Sequence, residues 1–338
     1  MSFTEQEIHE IHNAIQPFDD DTEIAVAKIQ SDQVAFYGAR NESGTPHAVE
    51  NFASVFEIGS ITKVLTCHLL AKSVLAGEIA LDEAINHHIA VPFRNKLSIT
   101  FKELASHTSG LPRLPPGLIW GALFKNAKNP YRDYLEPQLL SYLEHKLKLK
   151  GKGKSIYSNL GMGLLGYTLG QHSNRTYEDL LQESIFKPLD MHNSTSQLSL
   201  VQSRLVQGLN SAGKPTPNWD LGVLAGAGAV LSTVEDFSKY ILWCLKEDNV
   251  IFELQRQPVS TEHGARIGLG WVILGEPDEK ERYYFHNGGT GGYSSCMMID
   301  IQEKTGYVAL SNITGLQKRK GPVLDRLVDT LIKGHPVS

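Results

Sequence analysis

A serine and a lysine three positions apart could together form an activated nucleophile. Ser60 and Lys63 lie in the run FEIGSITKVL (56–65), which predicts a loop leading into an amphipathic helix. Helical spacing places both side chains on one face. A hydroxyl needs a base to take its proton, and lysine serves only when burial or a nearby cation lowers its pKa. The apolar neighbours predict partial burial, so the pair is a candidate nucleophile and base.

The same Ser-x-x-Lys spacing occurs at two further places. The run SAGK (211–214) lies in a segment rich in glycine and proline, which cannot hold a helical face. The run SIFK (184–187) leads into Pro188, which disfavours helix at the residue before it. Only the copy at Ser60 opens a long helical pattern. Taken alone, even that copy is better explained by a serine that caps a helix beside an exposed lysine.

A second candidate group is the one Tyr-x-Asn sequence in the chain, at Tyr157 and Asn159. An ammonium group stabilises a neighbouring phenolate, so Tyr157 beside Lys63 would take the proton of Ser60 and later return one to the leaving group. Asn159 would orient Lys63 and offer its amide to the substrate. A lone tyrosine is more often a packing residue. Whether Lys63 or Tyr157 is the general base stays open.

The third candidate group is the glycine-rich run HNGGTGG (286–292), which ends a strand-like segment. Glycines such as Gly288 and Gly289 let the backbone approach a substrate closely, and an N–H at a strand edge can donate to an oxyanion. His286, the one histidine followed by x-Gly, would contact the substrate. The alternative is a tight hairpin with a structural histidine.

These three groups, in this order, resemble the Ser-x-x-Lys, Tyr-x-Asn and Lys/His-x-Gly motifs of class C β-lactamases, D,D-peptidases and related esterases and D-aminopeptidases. The similarity runs from about residue 50 to 312 and includes LASHTSGLP (104–112), AGAG (225–228), STVED (232–236) and MMID (297–300) ahead of VALSN (308–312). The resemblance implies that Ser60 forms a covalent acyl-enzyme while Lys63 and Tyr157 share the proton transfers. The backbone N–H groups of Ser60 and Gly289 would form the oxyanion hole, with no metal or cofactor.

One departure from the family pattern bears on the substrate. His286 stands where class C β-lactamases usually carry lysine, and histidine is commoner among the D,D-peptidases and esterases. A neutral histidine would offer a substrate carboxylate at most one neutral hydrogen bond. We therefore expect small activated esters to be turned over better than β-lactams. A literal KTG (304–306) lies between two strand-like runs, where a hairpin turn is expected, and is rejected as the catalytic motif.

Other functions are weighed against this one. The run GMGLLG (161–166) fits the dinucleotide-binding pattern, but no clear strand precedes it and the acids that follow lie in a helical pattern. Its glycines more plausibly let a helix pack closely behind Tyr157. The run HEIH (9–12) falls one residue short of a zinc motif and fits a surface helix. Within the resembling family, the alternatives are a D-amino-acid peptidase or carboxypeptidase, and a penicillin-binding protein without catalysis.

The composition limits the partners and the compartment. The 338 residues carry a formal net charge of -5, so no basic excess favours nucleic acid. Cys67, Cys244 and Cys296 are widely spaced and odd in number, which predicts buried thiols rather than disulfides. The N-terminus is polar and acidic, and no run approaches the ~18 apolar residues of a membrane span. We expect a cytoplasmic protein that binds a small ester, amide or β-lactam. The oligomeric state stays open.

The elements that must position these groups lie at both ends of the chain and between them. Strand-like runs occur at 23–29, 34–38, 271–274, 283–285, 293–301 and 307–310, with helical patterns at 8–15, 323–332 and through the middle. The simplest fold is α/β of the α+β type, in which both termini build one antiparallel sheet flanked by helices, as in the β-lactamase/transpeptidase-like fold. We predict a sheet domain (1–58 and 255–338), a mostly helical domain (59–254), and the site in the cleft between them. Specificity is assigned to the loop 112–134.

Overall fold

Strands from the two ends of the chain pair in the centre of one sheet. The computed structural model describes residues 1–116, 118, 128–262, 264–275, 282–316 and 322–334. The sheet has the order β3-β2-β1-β11-β10-β9-β8-β7-β6, with every neighbouring pair antiparallel, and β4 pairs separately with β5. The strands are β1 (Glu23–Gln30), β2 (Gln33–Glu42), β3 (Thr45–Ala48), β4 (Phe56–Glu57), β5 (Leu231–Ser232), β6 (Ser260–Glu262), β7 (Ala265–Ile267), β8 (Val272–Leu274), β9 (Tyr283–Gly289), β10 (Ser294–Asp300) and β11 (Thr305–Ser311).

Strand β1 is buried on both faces because the sheet carries helices on both sides. Ile24 and Val26 contribute to the core beneath the terminal helices, whereas the alternate residues Ala25 and Ala27 contribute to the larger core on the opposite face. The predicted hairpin between β1 and β2 turns at Ser31, which has a φ of 57°. The prediction that both chain ends supply the sheet is confirmed.

The helices cover both faces of the sheet and fill the centre of the chain. They are α1 (Glu5–Ile15), α2 (Thr62–Leu75), α3 (Phe101–Ala105), α4 (Glu136–Ser141), α5 (Asn159–Ser173), α6 (Tyr177–Leu181), α7 (Val234–Cys244), α8 (Val250–Gln255) and α9 (Val323–Lys333). Helices α1 and α9 pack on one face through apolar side chains such as Ile11 and Leu327. Helix α7 packs on β1 and β11 from the other face. Short 3₁₀ turns, including Gly59–Ile61 and Gly222–Ala227, connect these elements.

Helix α2 differs from its prediction as an amphipathic helix. All residues from Thr62 to Ala71 are buried, so the helix has no solvent-exposed face over its first ten residues. It lies between α5, α8 and the turn Gly222–Ala227. Gln255 of α8 donates from Nε2 to the Val64 carbonyl oxygen at 3.0 Å. The amphipathic interpretation was therefore wrong, because neighbours from three distant parts of the sequence surround this helix.

The glycine-rich run at 161–166 is a packing surface, as the sequence indicates. A methyl group added at Gly163 would lie 2.6 Å from Leu224, and one at Gly166 would lie 2.9 Å from the Cα of Gly226. Either contact is too short for a real Cβ, so α5 approaches the turn Gly222–Ala227 only because these residues are glycine. Residues 147–158, directly before α5, form loop and turns rather than a strand, and the close-packing role of the helix is confirmed.

Three other predictions concern single features. Lys304 ends the β10–β11 turn and pairs with Glu247 at 2.7 Å, while Thr305 and Gly306 begin β11 at the end remote from Ser311. The KTG run therefore lies at the predicted hairpin, with its first residue in the turn. The three cysteines are free and buried, as predicted. Among the residues that the structure describes, no helix combines the length and the apolar composition needed to cross a bilayer.

Candidate active site

Ser60 lies in the 3₁₀ turn Gly59–Ile61, which runs directly into α2. Gly59 has a φ of 49°, a left-handed conformation that favours glycine. A methyl group at this position would also lie only 2.8 Å from the backbone nitrogen of Gly289. The turn therefore packs tightly against the end of β9, and both requirements explain the glycine immediately before Ser60.

Lys63 is completely buried, and its Nζ lies 2.9 Å from Ser60 Oγ. Nζ also donates to the carbonyl oxygen of Ala227 at 2.6 Å. Burial, and then the guanidinium of Arg113, hold the pKa of Lys63 well below its ordinary value. A lowered pKa favours the neutral amine, whose lone pair can accept the proton of a serine hydroxyl.

Tyr157 contacts the same serine from another direction. Its phenol donates to Ser60 Oγ at 2.6 Å. Lys63 Nζ lies 4.8 Å from the centroid of the tyrosine ring, and Arg113 Cζ lies 5.2 Å from it. Positive charge close to a phenol stabilises the phenolate. The structure thus brings Ser60, Lys63 and Tyr157 together within hydrogen-bond distance of one oxygen atom.

Asn159 does not orient Lys63, and that part of the prediction was wrong. Its Nδ2 donates to the phenol oxygen of Tyr131 at 3.0 Å, while the Ala227 carbonyl accepts the hydrogen bond from Lys63. Asn159 Oδ1 is buried and has no hydrogen-bond partner in the described part of the chain. Because a buried acceptor without a partner is costly, this oxygen is a natural place for a substrate N–H.

His286 is buried in β9, and its ring Nδ1 lies 2.6 Å from the carbonyl oxygen of Asn287. Burial, and then the proximity of Lys63, lower the pKa of His286 to about 4, so the ring is neutral at pH 7. A carbonyl can only accept, so Nδ1 carries the single proton and Nε2 carries a lone pair. No N–H of neutral His286 is therefore left for a substrate carboxylate, which lies within the expected limit of at most one neutral hydrogen bond.

Gly288 and Gly289 bring β9 against the turn that carries Ser60. A methyl group at Gly288 would lie 2.1 Å from the Ile58 carbonyl oxygen and 2.9 Å from the backbone nitrogen of Ser60. Among the described strands, β8 pairs with β9 only at residues 283–285, so β9 has a free edge beyond them. The close approach of the two backbones therefore depends on glycine at position 288.

A cavity of about 610 Å³ opens over these groups. The predicted residues that line it are Ser60, Tyr157, Asn159, Gly288 and Gly289. Residues of β9 and α9 also line it, as do residues of the central part of the chain, in particular Arg113, Tyr131, Trp219, Asn287 and Asp325. Among the described lining residues, Arg113 and Asp325 carry the formal charges.

Sequence reasoning missed several of these residues. Arg113 and Tyr131 lie in the loop 112–134 that was assigned to specificity, but neither was singled out; residues 117 and 119–127 of this loop lie outside the described residues. Arg113 directly follows the LASHTSGLP landmark, which was the available signal. Trp219 had no local signal, and Asp325 looked like an ordinary polar residue of the closing helix.

Trp219 is held in the cavity wall by a buried carboxylate. Glu57 Oε1 accepts from the Trp219 backbone N–H at 2.8 Å and also from the side-chain amide of Asn218. Burial raises the pKa of Glu57 to about 7. The Trp219 ring centroid lies 5.4 Å from that of Tyr131, whose phenol contacts Asn159. Glu57 therefore anchors a wall that reaches the substrate side of the site.

Asp325 lies in the first turn of α9, where its Oδ2 accepts from Nδ2 of Asn287 at 2.6 Å. Burial raises the pKa of Asp325, and the hydrogen bond from Asn287 opposes that shift. The Asp325 carboxylate thus lines the same cavity as Ser60 and is bound to β9, the strand that contains Gly289. Among the described residues, no group of three or more His, Cys, Asp or Glu side chains is arranged to hold a metal ion.

Comparison with known proteins assigns the chain to a family. A family model described as beta-lactamase matches residues 12–330. The chain belongs to the beta-lactamase family. The resemblance stated from the three motifs is therefore confirmed, and so is the prediction of a serine hydrolase at the level of this family.

Relatives of this beta-lactamase-family chain include a named peptidase and a beta-lactamase-like protein. D-alanyl-D-alanine-carboxypeptidase/endopeptidase AmpH of Escherichia coli (strain K12) is 28% identical over 282 residues, which cover 75% of this chain and 69% of that protein. Beta-lactamase-like protein 2 of Dictyostelium discoideum is 31% identical over 250 residues, which cover 71% of this chain and 44% of that protein.

Solved structures of the beta-lactamase family share the fold. A beta-lactamase/D-alanine carboxypeptidase from Pseudomonas syringae matches with a TM-score of 0.79 and 19% identity over 98% of both chains. A class C beta lactamase from Rhodobacter sphaeroides matches with a TM-score of 0.78 and 18% identity, over 98% of this chain and 100% of that chain. The predicted β-lactamase/transpeptidase-like fold is confirmed.

Proposed function

We propose that this protein hydrolyses small esters or amides through a covalent acyl-enzyme on Ser60. The observation that carries the proposal is the position of Ser60 Oγ, 2.9 Å from a buried lysine amine and 2.6 Å from a phenol, at the wall of a 610 Å³ cavity. A protein that held its ligand without forming a covalent bond would not need this arrangement.

The chemistry runs in two halves. Ser60 Oγ attacks the substrate carbonyl carbon while its proton passes to Lys63 or Tyr157, and the carbonyl oxygen becomes an oxyanion held by the N–H groups of Ser60 and Gly289. The bond to the leaving group then breaks, and Tyr157 protonates that group. Water attacks the acyl carbon in the second half and gives its proton to the same base. The bond between that carbon and Ser60 Oγ then breaks, the base returns the proton to Oγ, and the acid product leaves.

The charges around the cavity support esters over β-lactams. Penicillins and cephalosporins carry a carboxylate near the scissile amide, and neutral His286 has no N–H left for it. Asp325 adds a negative charge near the same strand. An anionic substrate at this end therefore meets repulsion rather than a positively charged hydrogen-bond donor.

A second candidate function is a peptidase or carboxypeptidase acting on D-amino-acid substrates. The exposed guanidinium of Arg113 lines the cavity beside Tyr157 and offers a partner for a terminal carboxylate. The named activity of the 28% identical relative is of this kind.

Mass spectrometry of acid-quenched enzyme during turnover tests the acyl-enzyme. We expect an acyl adduct on Ser60 with a short-chain p-nitrophenyl ester, and its loss in Ser60→Ala together with turnover, which should fall by several orders of magnitude. Ser184→Ala and Ser211→Ala, which alter the other two Ser-x-x-Lys copies, are matched controls that should keep both signals. Near-normal turnover by Ser60→Ala would refute the proposal.

The substrate is tested by comparing kcat/KM for that ester, nitrocefin and a peptide ending in D-alanyl-D-alanine. We expect the ester to exceed nitrocefin. A clear preference for the peptide would favour the second candidate function, whereas a preference for nitrocefin would contradict the argument from His286 and Asp325. Binding of all three without turnover would identify a non-catalytic penicillin-binding protein.

A further inference from the structure

His107 contacts the backbone on both sides of Tyr157. Its carbonyl oxygen accepts from the Ile156 N–H at 2.9 Å, and its ring Nδ1 accepts from the Ser158 N–H at 3.2 Å. The imidazole centroid also lies 4.7 Å from the centroid of the Tyr157 ring. One residue therefore accepts hydrogen bonds from the backbone N–H groups of both sequence neighbours of the tyrosine and packs against its side chain.

We propose that His107 is a positioning residue that fixes Tyr157 against Ser60. This inference rests on the proposed function, in which Tyr157 transfers the proton. The landmark LASHTSGLP contains His107, which takes no part in the proton transfers proposed above.

The hydrogen bond from Ser158 determines the tautomer of His107. A backbone N–H can only donate, so Nδ1 must carry the lone pair. The imidazole is almost completely buried, and burial, then Lys63 and His286, lower its pKa to about 3. The ring is therefore neutral in ordinary buffers and keeps its acceptor. A protonated ring would lose this bond and would add a positive charge close to Lys63 and Arg113.

The backbone of His107 supports the same role. Its φ is 60°, in the left-handed region that residues with a Cβ rarely adopt. Such strained residues persist where the surrounding structure holds them, and they cluster at functional sites. Here the neighbouring carbonyl oxygens of Thr108 and Gly110 accept from Gly153 and Lys150, both at 2.8 Å, so the two segments are joined along their length.

The hydrogen bond between His107 and Ser158 also connects His107 to the start of α5. Ser158 caps α5 by accepting from the Gly161 N–H at 2.9 Å, and Asn159 begins that helix. His107 therefore fixes the point at which the Tyr157 loop enters α5. Displacement of the Tyr157 phenol by about 1 Å is enough to reduce the rate strongly, because proton transfer to Ser60 depends on a short hydrogen bond.

Three substitutions separate the acceptor from the backbone strain. His107→Asn keeps an acceptor close to the position of Nδ1 and tolerates a positive φ. His107→Gly tolerates the positive φ but has no acceptor, and His107→Ala lacks both properties. We expect His107→Gly to lower kcat on the p-nitrophenyl ester about tenfold or more with little change in KM, and His107→Asn to rescue most of that loss.

A double-mutant cycle with Tyr157→Phe gives the deciding readout. If His107 acts through Tyr157, His107→Gly should lower kcat at most about twofold further in the Tyr157→Phe background. Thermal unfolding of each variant checks that it is folded. If His107→Gly lowers kcat equally in the parent and in Tyr157→Phe, or if His107→Asn is as slow as His107→Gly, the positioning role is overturned. The proposed role of Ser60 would not be affected by either result. A parental rate in Tyr157→Phe would instead overturn the proton-transfer role of Tyr157, and the inference with it.

Discussion

The Lys63 amine is surrounded by groups that disfavour its charged form. An ammonium ion at this position would lose its hydration, because the first ten residues of α2 are buried, and it would also face the Arg113 guanidinium. The Ala227 carbonyl gives the amine a fixed acceptor, which leaves the lone pair free to point elsewhere. Ser60 Oγ is the polar atom at hydrogen-bond distance from both the amine and the Tyr157 phenol. Either candidate base is therefore close enough to take the proton of the Ser60 hydroxyl.

Replacing the Tyr157 phenol tests its part in that proton transfer. We expect Tyr157→Phe to lower kcat about a hundredfold or more, the usual effect of losing a general acid or base. Initial rates with a short-chain p-nitrophenyl ester provide the measurement. Tyr167→Phe is the matched control on α5, because its phenol contacts Glu136 and does not line the catalytic cavity. If the Tyr157 variant keeps a rate close to the parent's, Lys63 alone is the base.

Helix α9 illustrates how an element far along the chain sets the charge of the cavity. Its first turn places Asp325 beside Asn287 of β9, because α9 packs on the face of the sheet to which residues 283, 285 and 287 point. The same apolar face that attaches the helix to β10 and β11 therefore also directs one carboxylate toward the cavity. The packing of α9 therefore determines where this negative charge meets the substrate.

Neutralising that carboxylate should change the preference for substrate charge. We expect Asp325→Asn to raise kcat/KM about fivefold for a p-nitrophenyl ester with a terminal carboxylate, relative to the uncharged ester of equal chain length, because ~1 kcal/mol of repulsion is removed. The difference should shrink at high salt. Asp329→Asn, one turn later on α9, is the matched control. An unchanged ratio in Asp325→Asn would show that Asp325 does not act on the substrate.

At the scale of the whole molecule, Glu57 connects the strand before the nucleophile to the loop that carries Trp219. Strand β4, which contains Glu57, pairs with β5. The Glu57 carboxylate also accepts hydrogen bonds from residues 218 and 219, which precede β5 in the sequence. One core cluster continues from the sheet through α2 and α5 without interruption, so these parts share their apolar contacts. The domain boundaries 1–58 with 255–338, and 59–254, stay a prediction.

Glu57 should make the stability of the molecule depend on pH. Burial raises its pKa from 4.5 to about 7, so between these values the folded state binds more protons than the unfolded state. The free energy of unfolding contributed by Glu57 is therefore greatest below about pH 4.5 and falls as pH rises through 7, by about 3 kcal/mol in total. Chemical denaturation at pH 5, 6, 7 and 8 measures this slope.

Glu57→Gln is the matched variant for that measurement, because glutamine keeps an acceptor for the Trp219 N–H but does not titrate. We expect the difference in unfolding free energy between variant and parent to grow in favour of the variant as pH rises. His107 and His286, whose pKa values are lowered by burial, act with the opposite sign below pH 6.5 and cancel in that difference. A difference that is constant with pH would contradict the assignment.

The sequence by itself determined the parts of this protein that depend on local spacing and order. Ser60 and Lys63 share a helical face because they are three positions apart, and the period-two runs at both ends predicted strands that pair in one sheet. The glycines at 163 and 166 marked a helix that packs closely. These features follow from backbone geometry within a few residues.

Tertiary structure alone decided which groups distant in the sequence come into contact and how far each one is buried from solvent. The Ala227 carbonyl, 164 positions from Lys63 in the sequence, takes the hydrogen bond that was assigned to Asn159. His286 becomes a neutral acceptor because the fold buries it and gives its one N–H to Asn287. Asp325 reaches the cavity through helix packing. Burial and pKa depend on the sum of contacts from separate segments, and no short pattern in the sequence contains that sum.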